Sequence, residues 1–74
     1  MSVLMSVLDE VAEEREYQRR KWGDEHDSHH DRNDWWRFIN PRITLGQRRE
    51  LIEAAALIVA WVEAFDKHDE GNEN

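Results

Sequence analysis

The chain contains no cysteine, so neither a disulfide nor a thiolate metal site can brace it, and a reducing compartment suits it. It also lacks an apolar run near the roughly 20 residues needed to span a bilayer. The opening stretch MSVLMSVLDE has no basic segment ahead of its apolar residues and turns acidic at once. The expectation is an unexported cytoplasmic protein with no membrane partner. Excess positive charge is missing as well: 10 Lys and Arg stand against 17 Asp and Glu, a formal net charge of −7. That balance argues against binding long nucleic acid, because gripping a phosphate backbone needs a basic surface. A few arginines in a pocket can still create a local field for a small anion. There is no Gly-rich phosphate loop, no G-x-S-x-G and no H-E-x-x-H.

What is present is dominated by the stretch Arg48 to Lys67, RRELIEAAALIVAWVEAFDK. Leu51, Ile52, Ala55, Ile58, Val59, Val62 and Phe65 recur at helical spacing. From Ala54 to Val62 no polar residue interrupts, so the middle of this helix is apolar on every side and needs cover from several directions. At 74 residues the chain sits near the size where one core supplies only a few kcal/mol. Self-association, as a dimer or tetramer, is therefore predicted, with the small residues Ala56, Ala60 and Ala64 as the place of close helix approach.

Earlier in the chain, Leu4, Leu8, Val11, Arg15, Gln18 and Trp22 share one face of a helix ending near Gly23. Arg15 and Gln18 interrupt that apolar face. Either their stems run along it while their heads reach a carboxylate of the last helix, or they project into a polar pocket between helices. Asp24 to Asn33, DEHDSHHDRN, reads as a loop carrying His26, His29 and His30. A short helix with Trp35, Trp36, Arg37 and Phe38 follows, capped by Asn33 or Asp34 and stopped by Pro41. Thr44 and Gln47 form a Thr-x-x-Gln capping pattern that predicts a last helix of about 22 residues, about 33 Å, starting near Leu45. The predicted architecture is all-α: two long antiparallel helices bridged by a polar His-rich loop and a short Trp-containing helix, assembled as a homo-oligomer. Residues 1–67 form one helical domain and 68–74 a flexible acidic tail.

Two constellations carry chemistry. Glu50-x-x-Glu53 places two carboxylates one turn apart, as a partial site for a divalent cation or as a solvated helix face. Indoles at Trp22, Trp35 and Trp36 accompany guanidinium groups at Arg15, Arg37 and Arg48. Indole faces stack on bases and guanidinium groups clamp phosphates, while Gln18 and His26 would add hydrogen bonds. Trp22 and Trp35 can equally serve as core anchors.

The run Glu14-Arg15-Glu16-Tyr17-Gln18-Arg19-Arg20-Lys21-Trp22-Gly23-Asp24-Glu25-His26-Asp27, followed by the Trp segment and RRELIEAAALIVAWVEAFD, resembles small phage-encoded helical proteins. In helix pattern these are similar to the MazG-like all-α nucleotide pyrophosphohydrolases. The resemblance spans roughly residues 7–67. It implies a helix with E-E-x-x-E working with an E-x-x-D helix to hold Mg²⁺ at substrate phosphates, with Glu50 and Glu53 matching the second box. The segment Asn40 to Gln47, where the first box would fall, has no carboxylate. The expectation is then a non-catalytic binder of a small nucleotide with no cofactor, in the manner of phage sponges that sequester cyclic nucleotide immune signals in the host cytoplasm. The alternatives are a divergent Mg²⁺-dependent nucleoside triphosphate pyrophosphohydrolase and a helical protein–protein interaction module.

Overall fold

The computed structural model describes residues 2–23 and 30–72, with side chains as far as Lys67. Among the described residues there are three helices and no strand: α1 (Val3–Trp22), α2 (Arg32–Leu45) and α3 (Arg48–Asn72). Ser2 opens α1, its hydroxyl accepting from the Met5 amide at 3.1 Å. Arg19, Arg20 and Lys21 fill the last turn, where cations complement the helix dipole. Gly23, at φ 83°, closes the helix by donating its amide to the Arg19 carbonyl at 2.7 Å.

The second helix differs from the sequence expectation at both ends. Its cap is Asp31, not Asn33 or Asp34: the Asp31 carboxylate accepts from the Asp34 amide at 2.9 Å and the Asp34 carboxylate accepts from the Asp31 amide at 3.2 Å. Pro41 does not stop the helix, which continues to Leu45. A proline in a helix leaves the carbonyl four residues back without its amide partner. Here both Pro41 and Arg37 lie on the exposed side of the helix. One residue on, the Arg42 guanidinium donates to the Phe38 carbonyl at 2.6 Å and reinforces the same turn. Thr44 is consequently part of α2 and does not cap α3. Gly46, left-handed at φ 66°, ends α2 by donating to the Arg42 carbonyl at 3.2 Å, and α3 begins after Gln47. Helical backbone then continues to Asn72 within the segment expected to be a tail.

The two-residue link makes α2 the antiparallel neighbour of α3. Arg42 meets Glu53 near the link, and Trp35 meets Trp61 at the far end. The expected antiparallel pairing of the two long helices is not the order seen between α1 and α3. Glu10 meets Arg48, Glu14 meets Arg49 and Gln18 meets the Glu53 carbonyl, so partners climb α3 as residues climb α1. The short distance between Leu45 and Arg48 assigns the hairpin to α2, and α1 takes the adjoining side of α3.

Two apolar clusters result. Trp35 and Ile39 of α2 pack with Ala54, Leu57 and Ala60 of α3, bordered by Phe38, Trp61 and Ala64. Val11 of α1 packs with Ile52 and Ala56, bordered by Val7 and Ala55. The alanine stripe expected to meet a sister subunit is thus occupied within the chain, because Ala56 and Ala60 let α1 and α2 lie close. What remains uncovered on α3 is the larger side: Leu51, Ile58, Val59, Val62 and Phe65 are exposed. Among the described residues, no helix is long and apolar enough to cross a membrane.

Candidate ligand-binding site

Among the described residues, those expected to grip a ligand are spread over all three helices. Arg15 is buried on α1, its Nε donating to Glu63 Oε1 at 2.6 Å, so its head reaches a carboxylate of the last helix. Gln18 is the most enclosed polar side chain, 2% exposed. Its Nε2 donates to Glu14 Oε2 at 3.3 Å and to the Glu53 carbonyl at 3.4 Å, and its Oε1 is buried without a hydrogen-bond partner. Arg48 is exposed and makes a two-pronged pair with Glu10, at 2.8 and 2.5 Å. The hydrogen bonds from Arg48 hold the Glu10 carboxyl below its ordinary range, and the same bonds from Glu10 push the Arg48 guanidinium up. Trp35 is a core residue, 1% exposed, stacked on Trp61 with centroids 6.2 Å apart and planes 12° from parallel. Trp22 lies partly exposed at the end of α1 with the Lys21 ammonium 5.3 Å from its ring centre. His26 lies outside the described residues.

Trp36 and Arg37 do face outward from α2. Adjacent tryptophans on a helix cannot both enter one core, because successive side chains are about 100° apart. Trp35 goes in, which leaves Trp36 54% exposed. Its indole borders a recess of about 740 Å³ lined by Asp31, Arg32, Asn33 and Trp61. A neighbouring cleft of about 450 Å³ shares Asp31, Arg32 and Trp61 and continues over His30, Trp35 and Phe65. His30 packs edge-on against Trp35 and Phe38, with centroids 5.0 and 5.1 Å away, and its Nδ1 lies 3.9 Å from Asp34 Oδ2.

The recess therefore combines one exposed indole, a second indole backed by the Trp35 stack, a guanidinium and an amide side chain. Its carboxylate, Asp31, is fixed in direction by capping α2. Arg32, Asn33 and Trp61 are not among the ligand contacts expected from the sequence, where Asn33 figures only as a candidate cap. Arg32 and Asn33 fell within an apparent loop, and Trp61 was concealed by the apolar run around it. The readable signal was the Trp35-Trp36 pair, which requires one indole to turn outward.

Of the acidic pair, Glu53 is engaged by arginines. Glu53 Oε1 accepts from Arg42 Nε at 3.1 Å, and Glu53 Oε2 pairs with Arg49 Nε at 3.3 Å. Arg49 also donates to the buried Glu14 at 2.7 Å. A ladder of Gln18, Glu14, Arg49, Glu53 and Arg42 thereby joins all three helices. Both oxygens of Glu53 face guanidinium groups, and the Glu14 carboxylate of α1 is held by Arg49 and Gln18. Arranged in this way, the Glu53 carboxylate is turned toward guanidinium groups, whereas a divalent cation needs carboxylate oxygens turned toward one shared point. Comparison with family models, with curated proteins and with solved structures gives no match to this chain.

Proposed function

We propose that the protein is a self-associating, non-catalytic binder of a small nucleotide, held in the recess between Trp36 and Trp61. The observation that carries this reading is the large exposed indole of Trp36 beside Arg32 at an open recess. An exposed indole offers a stacking face to a base, and a nearby guanidinium offers paired donors to phosphate. Relative to the residues named from sequence, Trp36 remains the stacking residue and Arg37 the outer cation. Arg32 and Asn33 take the polar roles assigned to Arg15, Gln18 and Arg48. The engagement of Glu53 and Glu14 by arginine supports binding without hydrolysis. A phage sponge for a cyclic nucleotide signal is the specific form of this reading that follows from the resemblance in the Glu14–Asp27 run.

Calorimetric titration with cyclic dinucleotides and with linear nucleoside triphosphates tests it. Binding by one of them, weakened about tenfold or more in Trp36→Ala, is the expected result, since a base–aromatic stack contributes about 1–3 kcal/mol. No binding by any nucleotide, affinity indifferent to Trp36→Ala, or release of pyrophosphate from a triphosphate overturns it.

The uncovered side of α3 favours a second reading, a helical module that docks another protein. That reading expects a single 8.9 kDa chain in isolation. Light scattering separates it from the self-associating form.

A further inference from the structure

On α3, Leu51, Ala55, Ile58, Val62 and Phe65 recur at alternating steps of four and three residues, the spacing of a coiled-coil seam. The four large members are 44% to 62% exposed. The other helices pack instead on Ile52, Ala54, Ala56, Leu57 and Ala60. From Leu51 to Phe65 no polar side chain falls on the seam's arc, and this apolar strip about 21 Å long is exposed except at Ala55, which is half-buried against the Val11 cluster.

We infer that a second copy of this chain docks on this strip, α3 against α3 in antiparallel orientation, making a two-fold dimer. Three observations select this occupant and direction. First, the strip is bounded by side chains of opposite charge, with Arg48, which also carries Glu10 of its own chain, three residues before Leu51 and Asp66 directly after Phe65. An antiparallel partner sets each charge against its opposite, while a parallel one sets like against like. Second, the side chains match by size in that direction. With Ala55 across from the partner's Ile58, Leu51 falls across from the partner's Val62, so the smallest member meets a large one in each half. Third, a two-fold pair uses the same strip on both copies, so one sequence pattern satisfies both sides.

The same register brings the partner's Arg48 across from Phe65, which borders the cleft beside Trp61. Within one chain Arg48 lies about 20 Å along α3 from Trp61. The dimer therefore brings the partner's Arg48, paired with Glu10 of that same copy, to that end of the cleft.

This inference rests on the self-association in the proposed function and involves no nucleotide, so its test is independent of the titration. Sedimentation equilibrium of the full chain should give an even multiple of 8.9 kDa. The Ile58→Glu and Val62→Glu double variant should fall to one chain mass while keeping its helical circular dichroism. The chain has no native cysteine, so direction can be read by oxidation. Leu51→Cys mixed with Val62→Cys should form a mixed disulfide, and Leu51→Cys alone should not cross-link to itself. A wild-type monomer, a dimer that survives the double glutamate variant, or efficient self-cross-linking of Leu51→Cys each overturns the inference.

Discussion

The two neighbours of α3 are attached by different chemistry. α2 is held mainly through an apolar core of Trp35, Trp61 and Ile39, with the single Arg42–Glu53 pair near the two-residue link. α1 is held through a thin apolar contact of Val11, Ile52 and Ala56 and a fringe of charge: Arg15–Glu63, Arg48–Glu10 and Arg49–Glu14. Apolar burial is nearly indifferent to salt, whereas exposed ion pairs are screened. The α2 side should therefore behave as a rigid hairpin, and the α1 side as an attachment whose outer pair, Arg48–Glu10, is sensitive to salt while the buried Arg15 and Glu14 are less so.

The sharpest way to break the contrast is Trp35→Ala. Removing a buried indole costs about 3–5 kcal/mol, a large share of what a domain of this size holds. Urea denaturation should show the cooperative transition lost or greatly weakened, and a drop below about 1 kcal/mol would mean the hairpin does not depend on this stack. On the same side, Pro41→Ala should stabilise by about 1–2 kcal/mol. It restores a helical amide worth up to about 3 kcal/mol, less the extra freedom gained by the unfolded chain. An unchanged or lowered midpoint would show that the Pro41 turn is not strained.

Effects on the α1 side should be smaller. Glu63→Ala removes one partner of the buried Arg15 guanidinium and should cost about 1–2 kcal/mol, within the range for charged hydrogen bonds and reduced because Glu63 is 42% exposed. A double-mutant cycle with Arg15→Met measures the coupling, and a coupling near zero would remove this pair from the attachment. Gln18→Met should shift stability by less than about 1 kcal/mol, since it exchanges two long hydrogen bonds for relief of a buried, unpartnered oxygen. A loss beyond about 2 kcal/mol would mean that Oε1 is satisfied, by a bound water for example.

The smallest effect belongs to Glu10, whose pair with Arg48 lies at the surface. Its folded-state pKa is depressed, so the contribution is present above the ordinary carboxylate value of 4.5 and is lost as pH falls through the lower folded value. Glu10→Gln should flatten the acid limb of the stability curve slightly, and molar salt should erase the difference from wild type. An acid limb identical in the variant would show that the pair contributes nothing.

Local sequence rules made some of this architecture legible. The helical spacing from Leu4 to Trp22 and the glycine after it mark α1, and the apolar run from Leu51 marks α3. Arg15 and Gln18 were recognisable because polar residues on an apolar face must find partners inside. The length of α2 was hidden, because Pro41 ordinarily ends a helix and only its exposed position lets this one continue. The inward side of α3 was hidden for a related reason. Spacing identifies an apolar stripe but does not say which stripe is used within the chain, and close packing of three helices favoured the small residues Ala54, Ala56 and Ala60 over Leu51, Ile58 and Val62. The recess was only half visible, since Arg32 and Asn33 acquire their position from the Asp31 cap.

The turn at Gly46 also sets an order of events. Contacts between α2 and α3 join residues close along the chain, while Arg15 and Glu63 are separated by 48 positions. Short loops close at lower entropic cost, so the hairpin should form first and the N-terminal helix should dock last, although it leaves the ribosome first. Because Glu14, Arg15 and Gln18 keep its docking face wettable, that helix can wait in water without offering a purely greasy surface to other chains.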